Sequence, residues 1–252
     1  MAKEKKSEPS IQHCEVLIDG ISVPFILYAE HRYSSRISIG KSAVHLRYPK
    51  GVFDYNKEKT LAWGKAWLST QFEKKPNLKS RFISKTYQSG QSIQAGGRIF
   101  TLMVQNIPGD AVKSSVKNDL ITLKIGLDIP QNELTGLIRQ VLSRTIARQL
   151  MPDVSARVDA INDRYFKKDI QTIRLKYNHS NWGSCSVRQT INLSTRLLLA
   201  PQVVMDYVIV HELSHLIEMN HSPKFWKIVE KVMPEYAKCE KWLSKHGAAL
   251  DF

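Results

Sequence analysis

One stretch constrains this chain more than any other: His211-Glu212-Leu213-Ser214-His215, preceded by Val208-Ile209-Val210. Pro201 opens a run that reads as a helix to about Met219, and proline suits a first helical turn. Four residues advance a helix by about 400° and ~6 Å, so His211 and His215 share one face, one turn apart. Two imidazoles placed so can take adjacent corners of a zinc tetrahedron at about 2.0–2.1 Å. Glu212 is offset by about 100°, where a general base can reach a metal-bound water. Two histidines and a glutamate in a strongly apolar helix cost free energy unless they serve something. A metal site is the reading that explains them, with Zn2+ or another divalent ion as the cofactor.

A tetrahedral catalytic site needs a third protein ligand and an open fourth position. His221 is the first candidate, with Glu230 and Glu235 on the next helix as rivals. Six residues beyond His215 is about 240° round a continuing helix, the wrong face. For His221 to bind, the helix must stop first. Asn220 can supply a left-handed C-terminal turn, and Ser222-Pro223 can begin a new helix as N-cap and first residue. The spacing also matches the metzincin pattern, but Glu218 stands where those enzymes have glycine. Tyr207, four residues before His211, is a candidate oxyanion or substrate contact, with core packing as its ordinary alternative. Arg196 and His179 are further candidates for that role.

The chain has 252 residues, with 37 basic against 23 acidic side chains. Residues 31–100 hold 14 of the basic and 3 of the acidic ones, a surface suited to nucleic acid or another anionic partner. The polar start, Met1-Ala2-Lys3-Glu4-Lys5-Lys6, predicts no secretory signal. No apolar run approaches the ~18 residues of a membrane span, so no membrane association is expected. Cys14, Cys185 and Cys239 are too few and too scattered for a disulfide framework or a cysteine zinc ribbon, which predicts a cytoplasmic protein.

Residues 1–10 read as a flexible tail. Val16 to Ile18 and Val23 to Tyr28 flank Asp19-Gly20 as a hairpin, and a second hairpin is expected around Gly40-Lys41. Residues 56–75 read as a helix, and strand text returns to Ile129. The texture changes near Pro130. An amphipathic helix follows over 131–150, then a second helix after Pro152-Asp153. Strands are expected at Thr172 to Tyr177 and Thr190 to Leu193, and helices at 222–232 and 238–245. No internal repeat is visible. The expected fold is α+β: a basic, mainly β N-terminal domain over 11–130, then a helical, zincin-like domain with a small sheet over 131–252.

Trp182-Gly183-Ser184-Cys185, Ile191-Asn192-Leu193, the Pro201–His215 run and Asn220-His221-Ser222-Pro223-Lys224-Phe225-Trp226 together resemble the YgjP-like metallopeptidase-domain family, bacterial relatives of the SprT-like zinc proteases. The match is specific over about 130–245. The resemblance implies a zincin-like hydrolase with His211, His215 and His221 as ligands and Glu212 as catalytic acid/base. Asn181 departs from the basic residue usual there. Cys185 packs under the metal helix or borders the substrate groove. Three functions follow: a metallopeptidase acting on protein or peptide; a zinc-dependent hydrolase of a nucleoside triphosphate or similar anionic substrate; or a nucleic-acid-binding module with a structural zinc. A structural site has no need of Glu212.

Overall fold

The structure, a computed structural model, describes residues 10–40, 43–50, 54–75, 78–79, 82, 85–178 and 180–252. Contacts divide the chain into two compact units, Met1–Ser84 and Lys85–Phe252. The architecture is mixed α+β.

The first unit contains β1 (Ser10–Ile18), β2 (Ile21–Glu30), β3 (Arg36–Ile39), β4 (Val44–Pro49) and α1 (Asp54–Lys74). The expected tail meets the described residues only at Ser10, which already belongs to β1. The sheet runs β1-β2-β4-β3, antiparallel at its outer pairs and parallel at its centre. Asp19 and Gly20 both take positive φ, as a two-residue hairpin turn requires. Period-two alternation turns Val23, Phe25 and Leu27 of β2 and Val44 and Leu46 of β4 inward, onto a core shared with Leu68 and Phe72 of α1. The second hairpin forms as β3 and β4, although Lys41 of its turn lies outside the described residues.

The second unit opens with β5 (Ser92–Ala95), β6 (Arg98–Ile107), β7 (Val112–Lys117), β8 (Leu120–Gly126) and α2 (Gln131–Ile161). Its sheet runs β5-β6-β8-β7, the same path as the first. The register is the same too, shifted by 77 residues. Val16↔Val23 becomes Ile93↔Phe100, Phe25↔Val44 becomes Leu102↔Ile121, and Arg36↔Arg47 becomes Lys113↔Lys124. The same shift carries Asp54, which opens α1, onto Gln131, which opens α2. The chain therefore contains an internal structural repeat that its residues conceal. Across the two sheets, only Gly20/Gly97, Ser38/Ser115 and Leu46/Leu123 are identical pairs. What persists is inward apolar character at matched positions, which pattern alone can preserve.

The division between units falls at Ser84 and Lys85 rather than at the change of texture near Pro130. The second sheet shares its core with α2: Phe100, Leu102, Ile121 and Leu123 cluster with Ile138, Leu142, Ile146 and Leu150. The break expected at Pro152 is also absent, because α2 continues through it to Ile161. The proline forgoes one backbone hydrogen bond, worth about 1 kcal/mol. Burial of Leu150, Val154, Val158 and Ile161 on the continuing face outweighs that.

After a π-helical turn (Asn162–Phe166) come β9 (Thr172–Lys176), β10 (Gly183–Cys185) and β11 (Thr190–Ser194), a three-stranded sheet ordered β10-β11-β9. A 3-10 turn (Thr195–Leu199) leads to α3 (Gln202–Ser214), α4 (Pro223–Val232) and α5 (Tyr236–His246). Among the described residues, no helix is long and apolar enough to cross a membrane.

Candidate metal centre

α3 ends earlier than its sequence suggests, at Ser214 inside the histidine motif. Its last turn tightens: the N–H groups of His215, Leu216 and Ile217 donate to the carbonyls three residues back, at 3.0–3.2 Å. Asn220 is not among the positive-φ residues, so the helix stops by this tightening and not by a left-handed cap. The restart follows the sequence. Ser222 caps α4, its Oγ accepting from Phe225 N–H at 3.4 Å, and Pro223 takes the first turn.

This stop and restart returns His221 to the face of His211 and His215. The three rings lie with centroids 4.8–5.1 Å apart, and His211 Nε2 is 2.9 Å from His221 Nε2. One nitrogen from each lies within 4.8 Å of the others. Glu230 and Glu235 are outside this cluster, and Glu235 pairs with Lys238. His215 Nδ1 donates to the Glu218 carbonyl at 3.2 Å, which leaves its Nε2 as the lone-pair nitrogen. Burial, then repulsion from the other two histidines, lowers the His211 pKa to about 4, and burial lowers that of His215. Neutral imidazoles are the form a divalent cation binds.

Glu212 is 4% exposed, and burial pushes its pKa up to about 8. Its Oε2 is buried and has no hydrogen-bond partner among the described residues. A buried, unpaired carboxylate oxygen beside three converging imidazoles is costly unless a cation or water completes it. The donor set therefore fits a divalent ion such as zinc.

The surroundings give roles to residues that the family motifs contain but to which the sequence assigned none. A Cβ at Gly183 would stand 2.7 Å from Glu212 Cγ, so β10 can approach the carboxylate only as glycine. Phe225 is fully buried beneath the cluster, 4.5–4.9 Å from each imidazole. His221 stacks on Trp226 (5.9 Å, 28°), Trp226 on Tyr236 (5.4 Å, 22°) and Tyr236 on Tyr207 (6.3 Å, 20°). This aromatic column holds the one histidine of the cluster that lies outside the HExxH motif. The i, i+4 spacing of His221 and Phe225 and the adjacent Trp226 were the only hints of it in the text.

The cluster opens into a cavity of about 600 Å³, lined by Asn181–Cys185, Tyr207, Met219, Glu240, Leu243 and Ser244 with the histidines and Glu212. A larger groove of about 810 Å³, between α2 and β9, contains none of the candidate residues. Tyr207 lines the cavity, buried, its hydroxyl pKa raised first by burial and then by the charge of Glu240. Arg196 is elsewhere. It is buried, donates to the carbonyls of Leu250 and Gly247, and lies 4.4 Å from the centroid of the Trp182 ring, so it reaches the cavity only through that wall. His179 lies outside the described residues. Cys185 borders the cavity half-buried; burial and the charge of Glu212 push its thiol up to about 11, which disfavours the nucleophilic thiolate.

The model of the YgjP-like metallopeptidase-domain family matches residues 34–246. No curated protein matches the chain. Among solved structures, the zymogen of the metallopeptidase abylysin of Pyrococcus abyssi is 26% identical, at a TM-score of 0.33, over 36% of this chain and 93% of its own. The zymogen of jannalysin of Methanocaldococcus jannaschii is 22% identical, at a TM-score of 0.32, over 35% of this chain and 90% of its own.

Proposed function

Because the chain belongs to the YgjP-like metallopeptidase-domain family, we propose that it is a zinc-dependent peptidase, with His211, His215 and His221 holding the ion and Glu212 as acid/base. The observation that carries this reading is the convergence of three imidazole nitrogens beside a buried, unpaired Glu212 Oε2. Bound zinc would supply Lewis acidity and a water of lowered pKa. Glu212 would take up the proton of the attacking water and return it to the departing amine. Gly183 leaves room for that carboxylate. Among the described residues β10 pairs only with β11, so its other edge can take an extended peptide as a further strand along the cavity. Tyr207, buried with its hydroxyl held protonated, is a donor available to a developing oxyanion.

The lining also bears on substrate. It includes no lysine or arginine, and its formal negative charges are Glu212 and Glu240. Apart from the ion itself, a nucleoside triphosphate would find no cationic side chain in this lining to hold its phosphates, whereas a peptide needs none. The chain's basic excess is not gathered into one unit either. Met1–Ser84 holds 15 basic and 8 acidic residues, and Lys85–Phe252 holds 22 and 15, the same excess.

The test is to incubate zinc-loaded protein with an unfolded protein and with a nucleoside triphosphate, beside Glu212→Gln and chelator-treated controls. Peptide-bond cleavage is expected, lost on chelation and lost in Glu212→Gln while zinc content stays stoichiometric. Phosphate or pyrophosphate release dependent on Glu212, without proteolysis, would sink the reading.

A further inference from the structure

We infer that Glu240 makes the cavity a subsite for a lysine or arginine side chain of the substrate, an inference that rests on the peptidase reading above. Glu240 sits on α5, four residues after Tyr236 and four before Ser244, so all three share one helical face with Leu243 and Gly247. That face is the cavity's wall. Tyr236 stacks on Tyr207 of α3, a Cβ at Gly247 would run into the Trp182 ring, and Glu240, Leu243 and Ser244 line the space between.

Glu240 is exposed, and among the described residues no hydrogen bond or ion pair engages it. Lysines are near in sequence: Lys238, Lys241 and Lys245 stand on the same helix. Lys238 pairs instead with Glu235. Positions 241 and 245 lie about 100° round the helix from 240 and 244, away from the cavity face. Glu240 thus stands on the cavity wall with no cation paired to it among the described residues.

The rest of the wall specifies what kind of cation would fit. Leu243, Val208 and the ring of Tyr207 offer apolar surface, and Ser244 offers a hydroxyl. Apolar walls that end in one carboxylate complement a methylene stem that ends in an ammonium or guanidinium. The Tyr207 ring, which lines the cavity, adds aromatic surface, which favours cations. An acidic substrate side chain would face repulsion from Glu240 at the same place.

The experiment uses the full zinc-loaded chain and matched fluorogenic peptides, each with lysine, norleucine or glutamate at one position near the scissile bond, scanned on both sides. At one position, kcat/KM should favour lysine over norleucine by about tenfold, the order of one partly enclosed charge pair. That ratio should fall toward one in Glu240→Gln, and glutamate should be favoured over lysine in Glu240→Lys. Zinc content and melting temperature check that each variant is folded and loaded. Peptide affinity is measured in parallel by fluorescence anisotropy on Glu212→Gln, with and without Glu240→Gln. A lysine preference that is absent at every position, or that survives Glu240→Gln, overturns the subsite while leaving the peptidase standing. If no peptide or unfolded protein is cleaved, the peptidase reading fails, and the anisotropy arm alone decides whether Glu240 selects a cationic chain.

Discussion

The first four strands and α1 follow the same path and register as β5–β8 and α2, yet the two copies of this unit carry different loads. Among the described side chains of α1 the buried positions are Gly64, Leu68 and Phe72, one narrow stripe against one sheet. In α2 the stripe Ile138, Leu142, Ile146 and Leu150 adjoins a second, through Ser143, Ala147, Val154 and Val158. The second stripe meets the elements that follow: Ser143 Oγ bonds Thr195 Oγ1 at 2.7 Å, and Arg157 clamps Asp206 of α3 at 2.6–2.8 Å. The width of a helix's buried face thus reports how many layers it serves. All the candidate chemistry lies on the elements that α2 supports beyond the repeat, and none lies on either ββββα unit.

The sharpest way to break that comparison is to empty matched core positions. Phe25 and Leu102 are equivalent in register and both 1% exposed. Phe25→Ala should cost about 3–5 kcal/mol and Leu102→Ala about 2–5 kcal/mol. In calorimetry, Phe25→Ala should lower a transition that does not respond to zinc. Leu102→Ala should lower one that zinc raises, by about 2.7 kcal/mol at a hundredfold excess over Kd. A single merged transition that both variants shift alike would show that the copies are not separate cooperative units.

A smaller effect is expected from Gly183→Ala, which drives a methyl into Glu212. We expect kcat on an unfolded protein to fall about 100-fold with KM little changed, since the carboxylate moves while the cavity stays open. Unchanged kcat would mean that Glu212 is free to shift. Trp226→Ala removes the ring behind His221 and should weaken zinc binding about tenfold in a competitive chelator titration. Equal affinity would show that the loop alone holds the histidine. The smallest change is in α2. Pro152→Ala restores a backbone donor and should stabilise the second unit by about 1 kcal/mol in urea; a loss there would mean the proline is needed where it stands.

Some of this molecule was legible before any coordinates. The HExxH spacing, the Ser222-Pro223 restart and the β1–β2 turn depend on residues within a few positions of one another, where helical and turn geometry apply directly. The repeat was not legible, because a sheet needs only inward apolar character at each matched site, and Phe25/Leu102 or Val44/Ile121 satisfy that without identity. Neither was the role of Arg196, whose partners are carbonyls some fifty residues on, at Gly247 and Leu250.

By itself, the sequence determined that two histidines and a glutamate share one helical turn, and that a helix must restart at Pro223. Both follow from local backbone geometry, which falls off within a turn or two. Only the tertiary structure decided that His221, and not Glu230 or Glu235, joins the cluster, that α2 survives Pro152, and that Glu240 lines the cavity. Those outcomes depend on which distant surfaces exclude water together, and burial of that kind is not written at any one position.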